Sequence, residues 1–287
     1  ILGHGAMDAT PVAAIGNVAI GTNSMGGASS AQSASNYNVS IGNNSMAAVL
    51  NGAGENVAIG GDALNDLTSG DENTCVGFEA GDAITTQGAV TLIGKSAGSA
   101  INDNAANGTV AVGKDALKAL TSGANNVALG YLALQHTDTG TDNIAIGHQA
   151  LYDQDVGGDG NAADSDHNIA IGSSAMSGAW TDAKSEKNIA IGSYSMDGLM
   201  AASLNNVCIG YNSGGIITSG GQNVIIGSLA GDGFDEESDN VFIGYQAATG
   251  AGSAASCVGI GSAALAAAIT QDGTVAVGYQ ALTALTS

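Results

Sequence analysis

Residues 126–134 read Asn-Val-Ala-Leu-Gly-Tyr-Leu-Ala-Leu, and residues 143–151 read Asn-Ile-Ala-Ile-Gly-His-Gln-Ala-Leu. Both stretches place an aliphatic residue directly before an anchor glycine, and Ala or Ser three residues after it. The pattern occurs sixteen times, most often at intervals of 17 residues. The anchors are Gly3, Gly21, Gly42, Gly60, Gly77, Gly94, Gly113, Gly130, Gly147, Gly172, Gly192, Gly210, Gly227, Gly244, Gly261 and Gly278. One short unit is therefore reused from end to end, which is the signature of a repeat protein.

The residues before each anchor glycine alternate in a way that predicts a β-strand. Counting from the glycine as position 0, position −1 is always aliphatic and position −3 is Val or Ile in thirteen of fifteen repeats. Alternation of β-branched residues over a short run is typical of a strand with two unlike faces. We expect positions −1 and −3 to form the interior of each coil. Position −2 is usually small, so we expect it to contact a second surface, either a neighbouring subunit or another part of the coil.

The remaining positions of the repeat have the composition of turns. Asn occupies position −4 in eleven of fifteen repeats, and it tolerates left-handed backbone and hydrogen-bonds turn backbone, so we interpret it as a structural corner. The anchor glycine ends the strand, where positive φ or close backbone contact leaves no room for a Cβ atom. Many units then close with Thr-Ser-Gly, as at residues 68–70 and 121–123.

Two short strands and two turns per unit predict an all-β protein, a parallel β-solenoid or β-roll of about sixteen coils. Each coil buries apolar surface only against its neighbours, so residues 1–287 are predicted to form a single continuous rod. The chain begins and ends within a repeat, and we therefore expect it to be a segment of a longer fibre.

Composition excludes several classes of function. There are 26 acidic residues against 5 lysines and no arginine, a net charge of −21, whereas nucleic-acid binding needs a basic surface. No apolar run is long enough to span a membrane, so no membrane insertion is expected. Cys75, Cys208 and Cys257 have no partners at metal-ligand or disulfide spacing, and we interpret them as small apolar residues. They leave the redox compartment undetermined.

The fullest form of the unit, Asn-Val-Ala-Ile-Gly-x-x-Ala-Leu, resembles the head repeats of trimeric autotransporter adhesins, whose consensus is close to NSVAIGxxS. The version with Leu after the small residue and a Thr-Ser-Gly or Thr-Gly linker, as in residues 126–134 and 143–151, is more similar to repeats of bacteriophage tail fibres. Adhesin head coils are typically shorter than this unit, which favours the fibre. The resemblance covers essentially the whole chain.

The resemblance to tail fibres implies a left-handed, homotrimeric roll that serves as a structural shaft or spacer in host attachment. Its implied partners are two further copies of the chain, other fibre or virion proteins and a host surface glycan, and its implied location is the virion, outside the cell. The alternative is the head of a bacterial trimeric adhesin at the cell surface, which would bind matrix or glycan.

Two acidic segments depart from the repeat and are candidates for calcium binding. The longest insertion contains Asp153, Asp155, Asp159, Asp164 and Asp166, interspersed with glycines that could wrap a cation. The second segment contains Asp232, Asp235, Glu236, Glu237 and Asp239. A solvated loop is the favoured interpretation of both, because neither segment fits a known calcium-loop pattern and salt screens exposed charges. Calcium is the alternative, and no cofactor is required.

Aromatic residues recur just after the anchor glycine, where they could stack on sugar rings or cover neighbouring turns. They are Phe78, Tyr131, Tyr211, Tyr245 and Tyr279. Packing over turns is the favoured interpretation and glycan stacking the alternative. The four histidines are dispersed, and the sequence contains no recognisable nucleophile with a partnered base. We therefore expect no enzymatic activity.

Overall fold

The computed structural model describes residues 2–7, 14–27, 34–103, 106–152, 165–180, 184–250 and 252–283. These residues contain no α-helix, and they form two compact units, residues 1–142 and 143–287. Each unit is a parallel β-solenoid in which one three-residue strand precedes each anchor glycine from Gly21 onward. The predicted fold class is therefore confirmed.

The strands of the first unit are β1 (Val18–Ile20), β2 (Val39–Ile41), β3 (Val57–Ile59), β4 (Thr74–Val76), β5 (Thr91–Ile93), β6 (Val110–Val112) and β7 (Val127–Leu129). Those of the second unit are β8 (Ile144–Ile146), β9 (Ile169–Ile171), β10 (Ile189–Ile191), β11 (Val207–Ile209), β12 (Val224–Ile226), β13 (Val241–Ile243), β14 (Val258–Ile260) and β15 (Val275–Val277). The first repeat contributes only an isolated bridge between Leu2 and Ile20.

Successive strands within each unit pair in parallel and without any shift of register. Val57 of β3 lies opposite Val39 of β2, for example, and the same repeat position faces itself in every coil. The amide of Gly77 donates to the carbonyl of Ile59 at 2.8 Å, and the amide of Val39 donates to the carbonyl of Asn56 at 2.8 Å. The second strand predicted for each coil is absent from the described residues, because turns joined by backbone hydrogen bonds to neighbouring coils take its place.

The two faces of the strand are reversed relative to the sequence-based expectation. In β3 the small residue Ala58 is fully buried, whereas Ile59 is 38% exposed, and every strand has its middle residue buried between two more exposed neighbours. The alternation was predicted correctly, but the assignment of inside and outside was wrong. In most coils the interior holds a small side chain at position −2 beside a larger one at position +4, and the aliphatic side chains at positions −3 and −1 point outward.

The interior keeps its volume nearly constant by exchanging large and small residues between positions −2 and +4. A typical coil has Ala at −2 and a fully buried Leu or Met at +4, as in Ala58 and Leu64. Where Leu92 occupies −2, position +4 is Gly98, and a Cβ atom there would lie 2.8 Å from the Leu92 side chain. Ile225 and Gly231 repeat this exchange, with a separation of 2.7 Å. Close packing at constant volume therefore links the two positions.

The asparagines at position −4 form a buried ladder along the coils. Asn206 accepts the backbone amide of Asn223 at 3.0 Å through its side-chain oxygen, and it donates to the carbonyl of Gly220 at 2.8 Å. Because the oxygen of each Asn receives a backbone amide, the next coil need not carry Asn, and Cys257 donates its amide to Asn240 at 2.9 Å. The hydrogen bonding predicted for this corner column is confirmed, whereas the left-handed backbone lies one residue earlier, at position −5.

The turns use left-handed backbone at non-glycine positions. In most coils positions −5, +2 and +4 have positive φ, as at Glu55 (59°), Asp62 (55°) and Leu64 (48°). Such a conformation costs an L-residue roughly 1–2 kcal/mol. Backbone hydrogen bonds to both neighbouring coils hold this conformation in place. The amide of Asp62 donates to the carbonyl of Asn43 at 2.9 Å, and the amide of Leu64 donates to the carbonyl of Ala80 at 3.1 Å.

At the anchor glycine, neighbouring coils approach too closely for any side chain. Gly77 has φ of +145°, and a Cβ atom on it would lie 2.2 Å from the carbonyl oxygen of Gly94 in the next coil. Gly278 has φ of +125° but no atom within 4 Å of the equivalent Cβ position. The column therefore requires glycine both for its backbone conformation and for the contact between coils.

These two glycines separate the cost of the conformation from the cost of the contact. We expect Gly77→Ala to lower the free energy of unfolding by about 3 kcal/mol, because the clash with fixed backbone adds to the strain of positive φ. Gly278→Ala should cost only about 1 kcal/mol, since strain alone acts there. Guanidinium unfolding followed by circular dichroism measures both. Equal losses in the two variants would show that contact between coils plays no part.

Candidate functional site

The outward side of the strands is a flat apolar surface, which we call the aliphatic face and define as positions −3 and −1 of β1 to β7 in the first unit and of β8 to β15 in the second. None of these side chains is charged, and Thr74 and Thr91 are the only polar ones. With strands ~4.8 Å apart, the eight strands of the second unit extend this face over roughly 34 Å. Continuous apolar surfaces of this extent mark interaction sites in soluble proteins.

The aliphatic face lies between two turn columns. On one side, position −5 carries exposed polar residues in left-handed backbone, such as Glu55, Asn205 and Gln222. On the other side, position +1 carries the aromatic residues and lysines. An apolar centre with a polar and aromatic rim has the composition of a protein interface. The sequence interpretation missed this face, because it placed the same side chains in the interior.

The aromatic residues predicted to stack on sugars fall into two groups. Phe78 and Tyr131 lie in the first unit beneath lysines: Lys95 Nζ is 5.6 Å from the Phe78 ring centroid, and Lys114 Nζ is 5.2 Å from that of Tyr131. These distances are typical of cation–π contacts, so a lysine already occupies one side of each ring. Tyr211, Tyr245 and Tyr279 lie in the second unit and are 55%, 53% and 75% exposed.

Lysine is scarce in this chain, and the carboxylate of Asp115 holds Lys114 in place beside the Tyr131 ring. Lys114 Nζ lies 3.0 Å from a carboxylate oxygen of Asp115, and Lys118 Nζ lies 3.6 Å from the other. The hydrogen bond and the charge of Asp115 raise the pKa of Lys114 above its ordinary value. The ammonium group over Tyr131 therefore stays charged across the physiological range.

The acidic segment at residues 232–239 binds its own backbone. The Glu237 carboxylate accepts the amides of Asp235 and Glu236 at 3.1 and 3.2 Å, and the Asp235 carboxylate accepts the amide of Glu236 at 3.0 Å. The Asp232 carboxylate accepts a hydrogen bond from the side-chain amide of Asn212 at 3.2 Å, so its partner lies in another coil and not in the acidic segment. These contacts shape a turn.

The longer acidic insertion falls mostly outside the described residues: Asp153, Asp155, Asp159 and Asp164 are not described, and Asp166 lies 3.9 Å from Lys184 Nζ. Among the residues that the structure describes, no three His, Cys, Asp or Glu side chains form a group that could hold a metal ion. The calcium hypothesis for the insertion therefore stays a prediction.

The cysteines lie in the interior of the coils as free thiols. Cys75 and Cys208 take position −2 in place of alanine, and both are fully buried. Burial without any compensating charge raises the pKa of each of these two thiols well above its ordinary value. A thiol that stays protonated and enclosed is a poor nucleophile, so neither residue supports catalysis.

Comparison with known proteins assigns the chain to no family. No protein-family model matches it, and no curated protein matches it. Within the described ranges, no helix is long and apolar enough to cross a lipid bilayer. The aliphatic face and the column of exposed tyrosines are the surface features on which a functional proposal can be built.

The buried thiols predict a loss of stability at alkaline pH. Because the native pKa is raised, each thiol favours the folded state below pH 9.0, its ordinary pKa, and that contribution is lost as the pH rises further. The free energy of unfolding should fall by about 1.4 kcal/mol per pH unit for each thiol above that point.

Urea unfolding between pH 8 and pH 10.5 measures this slope, and the control is Cys75→Ala with Cys208→Ala, which restores the usual residue of the column. The double variant should lose most of the alkaline dependence. An unchanged slope would contradict the assignment to these thiols.

Proposed function

We propose that this chain is a shaft or spacer segment of a homotrimeric bacteriophage tail fibre, which holds a receptor-binding part at a distance from the virion. The observation that carries the proposal is the aliphatic face. A solenoid that presents uncharged Val and Ile side chains on the outer side of its strands offers the kind of continuous apolar surface that marks an interaction site.

Further copies of the same chain are the partner that best fits this face. Because the face repeats at every coil without a shift of register, identical chains lying side by side bring Val and Ile into contact along the whole length of the strands. The net charge of −21 on each chain opposes random association, so assembly must come from a surface that carries no charge. Cyclic symmetry then closes the assembly.

The mechanical role follows from the backbone pairing. Strands and corners alike donate hydrogen bonds to a neighbouring coil, so local opening breaks several bonds together. A rod with short turns and a paired backbone resists bending and proteolysis. In this proposal the segment performs no chemistry, and other fibre or virion proteins continue it.

Charges placed on the aliphatic face should prevent assembly. Ile209→Lys combined with Ile243→Lys puts two ammonium groups into the apolar surface, where each costs several kcal/mol once covered. We expect the unaltered chain to sediment as three copies of 27.7 kDa, and the double variant to sediment as one. Analytical ultracentrifugation at micromolar concentration measures the mass.

The matched control is Asn205→Lys combined with Gln222→Lys, which adds the same charge at the exposed position −5, where Lys187 already occurs. This control should remain trimeric, and circular dichroism should show the same fold in all three proteins. An unaltered chain that sediments as a monomer would contradict the trimer. Equal dissociation of both double variants would show that charge, not the face, governs assembly.

The alternative is the head of a bacterial adhesin, which the same face would also suit, and localisation separates the two. An antibody raised against the chain and detected with gold by electron microscopy should label the fibres of phage particles, at a constant distance from the particle. Label on bacterial cells in a culture free of phage would overturn the fibre proposal in favour of the adhesin.

A further inference from the structure

In the second unit, a pattern of exposed side chains recurs every second coil. The seventeen-residue repeat does not require this longer period. At position +1 the anchors from Gly210 onward are followed in turn by Tyr211, Ser228, Tyr245, Ser262 and Tyr279. Tyrosine therefore recurs every second coil, 34 residues apart, with a small serine between. Because neighbouring coils lie ~4.8 Å apart and in register, the tyrosines lie roughly 9.6 Å apart along one line.

A second column alternates in the same phase. Position +2 carries Asn212, Gln246 and Gln280 beside the tyrosines, and Leu229 and Ala263 beside the serines. Each exposed ring thus has a side-chain amide next to it, and each gap has none. Neither the fold nor the aliphatic face needs this alternation, because Ser occupies the same two positions in other coils, as at Ser173 and Ser174, without disturbing the strands.

We propose that the tyrosine–amide ladder of Tyr211, Tyr245 and Tyr279 binds an extended, uncharged polysaccharide of β-1,4-linked pyranose rings. Such a chain presents the same ring face at every second residue, and this two-residue repeat is about as long as two coil spacings. The apolar face of a pyranose ring stacks on an aromatic ring, while equatorial hydroxyls at its edge accept and donate hydrogen bonds.

The environment of the ladder selects an uncharged ligand. The chain carries 26 acidic residues, and Asp232 lies beside the ladder through its hydrogen bond with Asn212, so anionic polysaccharides are repelled. The serines leave one coil of open space between rings. Tyr194 packs against Tyr211 in a T-shaped arrangement, with ring centroids 6.0 Å apart, and so fixes the position of the first ring.

The aromatic residues at position +1 of the first unit can be compared with the tyrosine–amide ladder of the second. Phe78 and Tyr131 are separated by two coils that carry Lys95 and Lys114 at position +1, and these lysines lie over the rings. Phe78 and Tyr131 lack the two-coil spacing of the ladder, and at 46% and 44% they are somewhat less exposed than its tyrosines. The inference is separate from the shaft role, and it requires that the proposed trimer leave these rings, at the edge of the aliphatic face, open to solvent.

Titration calorimetry with cellohexaose and affinity electrophoresis in glucomannan test the ladder, with dextran, an α-1,6-linked glucan, as the control polysaccharide. The unaltered chain should bind both β-1,4 probes and not dextran. Tyr245→Ala removes the central ring and should weaken binding roughly tenfold, which corresponds to about 1.4 kcal/mol and lies within the range of one aromatic contact. Tyr245→Phe keeps the ring and should retain most of the affinity.

Tyr131→Ala is the matched control, because it removes an exposed tyrosine from position +1 outside the ladder, and it should bind as the unaltered chain does. Sedimentation and circular dichroism of every variant verify that fold and assembly are intact. No binding of either β-1,4 probe overturns the proposal, as does equal loss in Tyr131→Ala. Dissociation of the oligomer by Tyr245→Ala without any sugar binding would assign the ladder to the subunit interface instead.

Discussion

The close approach of neighbouring coils at the backbone is the constraint on which the rest of the structure depends. At Gly77 the next coil lies so near that a single added carbon atom would be 2.2 Å from its carbonyl oxygen. This spacing allows the corners, including strained ones such as Leu64, to exchange hydrogen bonds with both neighbours. The short repeat unit, in turn, makes the coil narrow in cross-section, so that in most coils the interior holds one small residue from the strand and one larger residue from position +4.

A thin coil cannot bury all of its aliphatic residues, and this reverses the usual relation between strand and core. Ala58 lies inside and Ile59 lies outside because the available volume decides the orientation before hydrophobicity does. The excess apolar surface then becomes the outer face of the strands. In the trimer proposed for this chain, with its net charge of −21, such a face would supply the association energy that charge alone would oppose.

The sequence predicted the repeat, the strand positions and the Asn corner, because each depends on a local pattern that is visible in one copy and repeated in others. It could not predict which face of Val127–Leu129 points inward, since a period of two is the same for both orientations. Nor could it predict left-handed backbone at Leu64, because leucine has no local preference for it and only the hydrogen bonds between coils fix it there.

Features with a period of one coil serve the solenoid itself, whereas features with a longer period need another explanation. Leu92 and Gly98 depart from the usual residues of the core. This departure is explained within the coil, because the missing side chain of Gly98 leaves room for that of Leu92 and the volume of the core is kept. The alternation of Tyr211, Ser228 and Tyr245 has no such compensation, because the fold accepts serine or tyrosine equally at these exposed positions. A regular departure that the fold does not need points to a ligand whose own repeat matches it, and this places specific recognition on the turn column beside the face proposed for assembly.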